Sequence, residues 1–475
     1  MKKGRNPEEQ GIIEKVFRYD QGHIFNFWEK LKDREKDHLV KDIQSIDFEL
    51  LNRAKLLLFQ QNGYNQDSCK REIQQPDIIP LPQSRHQLEN EKSAYEAGAG
   101  CIGLSKAAVL TAAGGQSSRL GLNIPKGAYT ITPVKNKSLF QVHAEKILFM
   151  QQKYHARIPW IIMVSETNRD QTADYFQSND YFGIDSEYIR FIEQGMFPAI
   201  DEQGKILLRE KYRIFLNPNG HGGTFSALND SGALSWLKKL GVEEIFYFQV
   251  DNVLVKILDP VFIGYHILKQ CGMSSKCVHK EYPNEKVGVF VVEDGKTTII
   301  EYSELFRLAS NSEGINVGSY TAGSIAIHIL NVDFAVKVNE GGMKLPLHLA
   351  HKAIPYTGVC GEKVEPEHPN GYKIETFIFD ALKKTHGTVI MEVKREDEFS
   401  PLKNKAGDAS PETAFRDQLR FFARWFEKAG ITVPWAENGM PVFRLEVSPL
   451  FASMEEDFVN KIDHNMIIDR DTYIG

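Results

Sequence analysis

The sequence predicts an α/β protein built on a doubly wound sheet, and three features predict it. Short apolar runs recur along the chain, two of them end in a glycine turn or a carboxylate, and stretches at helical spacing separate them. Ala107-Ala108-Val109-Leu110-Thr111 feeds Gly114-Gly115, as a buried parallel strand entering a glycine turn would. Leu139 to Met150 reads as a helix, Trp160 to Val164 as the next buried strand, and Ile245 to Val250 as another, closed by Asp251. Ligands of such sheets sit beyond the carboxyl ends of the strands, so function is sought after Thr111 and after Val250.

Ahead of the first strand, apolar residues fall at helical spacing from Ile24 to Phe59, in two stripes: Ile24, Trp28, Leu31 and Leu39, Ile43, Ile46. Gly63 and Asn65 end this stretch, and Pro76, Pro80 and Pro82 mark an extended linker. Residues 1–105 thus read as a helical N-terminal region with a structural role, and 106–404 as the main α/β domain. From Lys405 a small C-terminal region, 405–475, holds an amphipathic helix (Phe415 to Lys428) and a strand-like run, Val442 to Leu445.

Composition bounds the function. With 475 residues, 42% hydrophobic and 25% charged, the chain has material for two or three globular domains. A net charge of -6 argues against a nucleic-acid partner, so any bound nucleotide must be held by locally placed cations and backbone N–H groups. The five cysteines, Cys69, Cys101, Cys271, Cys277 and Cys360, form no CxxC pair and read as reduced thiols. No segment approaches the roughly 20 apolar residues of a membrane span, and the polar N-terminus lacks a signal core. A cytoplasmic protein with no membrane partner is expected.

The strongest local signal is Ala113-Gly114-Gly115-Gln116-Ser117-Ser118-Arg119-Leu120-Gly121, followed by Pro125-Lys126-Gly127. Glycines let backbone N–H groups approach a base or phosphate with no Cβ in the way. Arg119 offers a planar fork for phosphate oxygens and Lys126 a compact charge. The bland alternative is a glycine turn with two solvated cations. The string following directly on a buried strand favours a nucleotide site, and it matches neither a P-loop nor a GxGxxG fingerprint.

This string is similar to the Gly-Gly-x-Gly-Thr-Arg loop and Pro-Lys of sugar-nucleotide pyrophosphorylases. More narrowly, the chain resembles the eukaryotic-type UDP-N-acetylglucosamine pyrophosphorylases over nearly its whole length. The likeness includes Phe27-Trp28, Gln194-Gly195-Met196, Val250-Asp251-Asn252-Val253-Leu254-Val255-Lys256, Val287-Gly288-Val289 and Glu301-Tyr302-Ser303-Glu304. It continues through Pro369-Asn370-Gly371, Arg395 to Asn404 and Glu446-Val447-Ser448-Pro449-Leu450.

The resemblance implies a Rossmann-like nucleotidyltransferase domain. Its reaction would join UTP to a sugar 1-phosphate, foremost N-acetylglucosamine 1-phosphate, to give a UDP-sugar and pyrophosphate. It further implies that Asp251 binds Mg2+ (or Mn2+), as a hard cation choosing oxygen, and that Lys403 joins Arg119 and Lys126 at the phosphates. Ala113, Gly114, Gly115, Gln194, Gly220 and His221 would hold the nucleotide, Gln194 and Gly220 reading uracil. Gly288, Glu301, Thr321 and Phe379 would face the sugar.

Three departures separate this chain from the resembled enzymes. Ser117-Ser118 replaces Gly-Thr, and Thr321-Ala322-Gly323-Ser324 replaces Asn-Ala-Gly-Asn. His221, in Gly220-His221-Gly222, stands where those enzymes carry Asn and where UDP-glucose and broad-specificity UDP-sugar pyrophosphorylases carry His. Two alternatives follow: a UDP-glucose, UDP-galactose or broad-specificity enzyme, and a catalytically silent UDP-sugar-binding protein. The presence of Arg119, Lys126, Asp251 and Lys403 argues against the silent reading.

Overall fold

The computed structural model describes residues 2–62, 72–115, 120–283, 285–311, 317–342 and 345–475. The chain divides into two units, one of Met1–Cys69, Gln194–Gly223 and Lys344–Asp380, the other of Lys70–Glu193, Thr224–Met343 and Ala381–Gly475.

The larger unit is organised by a ten-stranded sheet: β1 (Ile73–Gln74), β2 (Ala107–Ala112), β3 (Trp160–Val164), β4 (Ile189–Glu193), β5 (Glu244–Gln249), β6 (Met273–His279), β7 (Val289–Glu293), β8 (Lys296–Ile300), β9 (Ala322–Asn331) and β10 (Ile390–Glu392). The main path runs β1-β7-β9-β5-β2-β3-β4, with β6 also on β9, β10 on β6 and β8 on β7. The strands from β5 through β2 and β3 to β4 are parallel, and β9 runs antiparallel to β5. β2, β3 and β5 are almost entirely buried, which is why they read as continuous apolar runs rather than alternating ones.

Four helices of this unit matter below: α1 (Arg85–Gly103), α2 (Leu139–Tyr154), α3 (Pro260–Leu268) and α4 (Pro411–Lys428). α1 carries no strong apolar stripe and packs instead by close backbone approach. A Cβ on Gly98 would lie 1.9 Å from the Pro260 carbonyl oxygen, and one on Gly264 1.7 Å from that of Ala94. α4 begins four residues before Phe415, because Ser410 caps it and Pro411 occupies its first turn. The strand expected at Val442–Leu445 is instead Leu445–Val447, paired with Thr472–Ile474, while Val442 donates its N–H to Pro434 and stays exposed.

In the smaller unit, helices Pro7–Arg18, Asp33–Gln44 and Phe48–Asn62 enclose short 3-10 turns at Gly22–Phe25 and Trp28–Lys30. Phe25 and Trp28 are buried edge to face. The first helix has its own signal in the sequence, Asn6 as cap and Pro7 behind it, although its apolar residues are few. Strands His348–Lys352, Gly371–Glu375 and Ile200–Asp201 form a small antiparallel sheet. Among the described residues no helix is long and apolar enough to cross a membrane. Cys101, Cys271, Cys277 and Cys360 are free thiols. Gly63, Asn65, Cys69 and the segment Gln116–Arg119 lie outside the described residues.

Candidate active site

β2 and β5 are parallel neighbours in register to their last residues, Ala112 opposite Gln249, so the segments that follow them emerge together. Val250 donates its N–H to the Ala112 carbonyl (3.1 Å), and Ala113 donates to Met163 (2.7 Å). The glycine turn at Gly114-Gly115 and the carboxylate of Asp251 are thereby neighbours at the carboxyl edge of the sheet.

Asp251 is only 5% exposed. A carboxylate buried without a partner would be costly. The Lys126 ammonium lies 3.5 Å from its Oδ2, and the Lys126 backbone N–H donates to the Gly115 carbonyl (3.4 Å). Lys126 therefore belongs to both features, folded back from the far end of the loop. On the other side, Leu402 donates its N–H to the Asp251 carbonyl (2.9 Å), and Asn252 bridges Pro401. That contact brings the Ser400–Lys403 block beside Asp251, with Lys403 exposed and its N–H bound to the Ala409 carbonyl (2.7 Å).

The glycine turn has a brace that sequence reading missed. Asn168, fully buried, donates its side-chain amide to the carbonyls of Ala113 (2.9 Å) and Gly115 (3.4 Å). Its Oδ1 accepts from the Ser165 N–H and hydroxyl, which fixes the carboxamide orientation. Because the brace takes carbonyls, it does not compete with a ligand for the turn's N–H groups. Only the neighbouring Ser165, at the end of β3, hints at it in the sequence.

Gly288, Glu301 and Thr321 are gathered at the same edge. Val289 pairs with Ile300 and with Gly323, which sets Gly288, Glu301 and Thr321 at adjacent strand ends. A Cβ on Gly288 would lie 3.5 Å from Glu301 Oε1, and Ser324 donates its N–H to the Gly288 carbonyl (2.8 Å). The Thr321 carbonyl accepts from Lys280 (2.9 Å). Since β9 is antiparallel to β5, its N-terminal end lies on the side of the sheet where β5 ends.

Gln194, Gly220, His221 and Phe379 form a second cluster, in the smaller unit. Gln194 donates its amide to the Gly220 carbonyl (2.7 Å). Gly220 has φ of 80°, and a Cβ there would lie 2.3 Å from the Thr376 carbonyl oxygen, so only glycine fits. The His221 ring accepts the Ile378 N–H at Nδ1 (3.1 Å), stacks on Phe377 at 5.3 Å and lies 5.7 Å from Phe379.

Comparison with known proteins identifies the family and the fold. The family described as UTP–glucose-1-phosphate uridylyltransferase matches residues 57–409. A UDP-N-acetylhexosamine pyrophosphorylase-like protein 1 of Xenopus tropicalis is 35% identical over 443 residues, covering 89% of this chain and 85% of that protein. The UDP-N-acetylglucosamine pyrophosphorylase of Saccharomyces cerevisiae is 34% identical over 430 residues, covering 87% and 90%. Among solved structures, a putative UDP-N-acetylglucosamine pyrophosphorylase from Entamoeba histolytica superposes with a TM-score of 0.73 at 33% identity, over 85% of this chain and 100% of that one. The Trypanosoma brucei uridine diphosphate N-acetylglucosamine pyrophosphorylase gives 0.81 at 25% identity, over 99% of each.

Proposed function

This chain belongs to the UTP–glucose-1-phosphate uridylyltransferase family, and we propose on that premise that it transfers a uridylyl group from UTP to N-acetylglucosamine 1-phosphate. The products are UDP-N-acetylglucosamine and pyrophosphate. The observation that carries the reading is the meeting of the Gly114-Gly115 turn, Lys126 and Asp251 at the ends of neighbouring parallel strands. The choice of sugar is supported by relatives that carry the N-acetylglucosamine or N-acetylhexosamine name and match along 87% to 94% of the chain.

An ionised oxygen of the sugar phosphate attacks the α-phosphorus of UTP in line. The bond from that phosphorus to the oxygen bridging the β-phosphate breaks, and pyrophosphate leaves with the electron pair. No covalent enzyme intermediate is required, so the protein contributes positioning and charge dispersal. N–H groups of the glycine turn approach the nucleotide, while Lys126, Lys403 and Arg119 offset the charge that develops on the phosphate oxygens. The Gly220 carbonyl holds the Gln194 carboxamide, leaving its oxygen to accept the uracil N–H and its second N–H to donate to a uracil carbonyl. Glu301 accepts sugar hydroxyls, and Gly288 and Thr321 stand beside it at the adjacent strand ends.

A divalent cation, Mg2+ or Mn2+, suits the donor set. Asp251 supplies one hard, buried carboxylate at a strand end, and such cations bind through one or two carboxylates plus substrate phosphates. Bound there, it would neutralise phosphate charge as a Lewis acid. A reducing, cytoplasmic compartment fits the free thiols.

The test is pyrophosphate release from UTP across a panel of sugar 1-phosphates, repeated with ATP, CTP and GTP. Turnover should be strongest with UTP and N-acetylglucosamine 1-phosphate. Comparable turnover with ATP, or none with any sugar phosphate, overturns the reading.

A further inference from the structure

The segment that carries Asp251 forms no strand or helix from Val250 to Val255, yet its carbonyls are gripped from outside. Three of the grips come from one helix. On α2, His143 and Lys146 stand one turn apart. His143 Nε2 meets the Val250 carbonyl at 2.9 Å, and Lys146 Nζ donates to those of Val253 (2.7 Å) and Val255 (2.8 Å). With Leu402 on the Asp251 carbonyl, the backbone is held at residues 250, 251, 253 and 255. The Asn252 side chain is clamped as well, donating to the Glu398 carbonyl (2.7 Å) and accepting from the Ser400 N–H (3.0 Å).

We propose that His143 and Lys146 are positioning residues that hold the Asp251 carboxylate where it receives the divalent cation. The inference rests on the reading of Asp251 as the cation's ligand. Its geometric ground is that the two side chains bracket Asp251 from a single rigid helix, through backbone carbonyls on both sides of it. His143 is fully buried against Phe248, at 4.9 Å and edge to face. Burial pushes its ring down to about 3, so it is neutral at physiological pH and donates through Nε2 to the carbonyl it faces. Burial also pushes the Lys146 ammonium down to about 7. An amine donates two N–H groups even when neutral, so both grips survive on either side of that value.

Lys276 offers a contrast inside the same unit. It is fully buried where Lys146 is partly buried, and it meets carboxylates, Asp259 at 2.7 Å and Glu398 at 2.6 Å, as buried ammonium groups ordinarily do. Lys146 is turned instead on two carbonyls of the segment that carries Asp251.

The sign of one measurement separates positioning from charge. A lysine near a cation site repels the cation, so its removal should tighten cation binding if charge were its only influence. If Lys146 positions Asp251, its removal should weaken binding. The experiment uses the full-length protein with saturating UTP and reads Mn2+ binding from the free-ion electron paramagnetic resonance signal. In parallel it reads melting temperature, kcat, and KM for the sugar phosphate.

Lys146→Met should weaken Mn2+ binding by about fivefold or more. It should lower kcat while leaving KM for the sugar phosphate near wild type, and Lys146→Arg should recover part of both losses. Lys153→Met, on the same helix but paired with Asp457, should bind Mn2+ as wild type does. Folded Lys146→Met with unchanged or tighter Mn2+ binding overturns the proposal. If Lys146→Met does not fold, His143→Leu and His143→Gln take its place, and equal Mn2+ affinity in that pair overturns it. Asp251→Asn in the same assay isolates the underlying reading. Loss of binding there with none in Lys146→Met sinks only the positioning role, whereas wild-type binding in Asp251→Asn sinks the assignment of Asp251 itself.

Discussion

Two segments leave the carboxyl edge of the sheet side by side, and they are built by opposite means. The turn after β2 relies on missing side chains: Gly114 and Gly115 leave the backbone open, and one buried carboxamide, Asn168, steadies it. The segment after β5 contains no glycine from Val250 to Val255 and is steadied by donors from His143, Lys146 and Leu402. In both, the braces take carbonyls. On the proposed reading the difference lies in what must stay available: N–H groups after β2, a single carboxylate after β5. Lys126 links them, with its backbone on the first and its ammonium on the second.

The comparison breaks most sharply at Asp251. Asp251→Asn should lower kcat/KM by roughly 10³-fold or more, the loss of several kcal/mol of charge stabilisation, and excess chelator should silence the wild type. The variant should stay folded by circular dichroism, because the contacts holding this segment engage backbone groups and neighbouring side chains rather than the Asp251 carboxylate. An enzyme fully active in chelator would remove the cation from the mechanism.

On the glycine side, Lys126→Ala and Arg119→Ala should each lower kcat/KM by roughly 10²-fold, about 2.7 kcal/mol, and Lys126→Ala should also lower the melting temperature, because it leaves the buried Asp251 carboxylate without its ammonium partner. Near-wild-type efficiency in either variant would remove that residue from the phosphates. Asn168→Asp tests the brace. The exchange keeps the shape but turns an acceptor on two carbonyls, stranding buried groups at about 1–3 kcal/mol. A melting temperature lower by several degrees and a raised KM for UTP are expected, and an unchanged melting curve would mean the turn does not depend on Asn168.

These two segments also mark what the sequence made legible. The parallel strands were readable because burial on both faces leaves continuous apolar runs, and the glycine turn because its composition is unusual. Asp251 was legible as a strand-ending carboxylate, and its proposed role only by resemblance. The bracing residues were not legible. His143 and Lys146 lie 107 to 109 residues from the carbonyls they hold and Asn168 lies 53 to 55, and each alone looks like an ordinary helix or loop residue. α1 escaped for a related reason, since its packing depends on Gly98 and Gly264 rather than on an apolar stripe. The three-segment assembly of the smaller unit likewise left no local mark.

The smallest effect concerns the sugar, at the edge the two segments share. Thr321 sits at the start of β9 with its carbonyl held by Lys280, near Gly288 and Glu301. Its hydroxyl offers one short donor and acceptor where a carboxamide would offer a longer reach and both functions in a plane. Exchanging a two-function partner for a hydroxyl should reduce discrimination by roughly 1–2 kcal/mol, because less of the substrate's polar surface is matched. N-acetylglucosamine 1-phosphate should therefore be used with modest preference over hexose 1-phosphates, and Thr321→Asn should raise that ratio of kcat/KM values about tenfold. On the proposed reading the glycine turn and Asp251 act on phosphates common to all these substrates, so the change should leave turnover with the best sugar within a few-fold of wild type. If the wild type turns over glucose or galactose 1-phosphate well and no N-acetylhexosamine phosphate at all, the Gly220-His221-Gly222 likeness to the UDP-glucose enzymes is the better guide. The specificity element would then lie with His221, held by Ile378 and stacked on Phe377, rather than with Thr321.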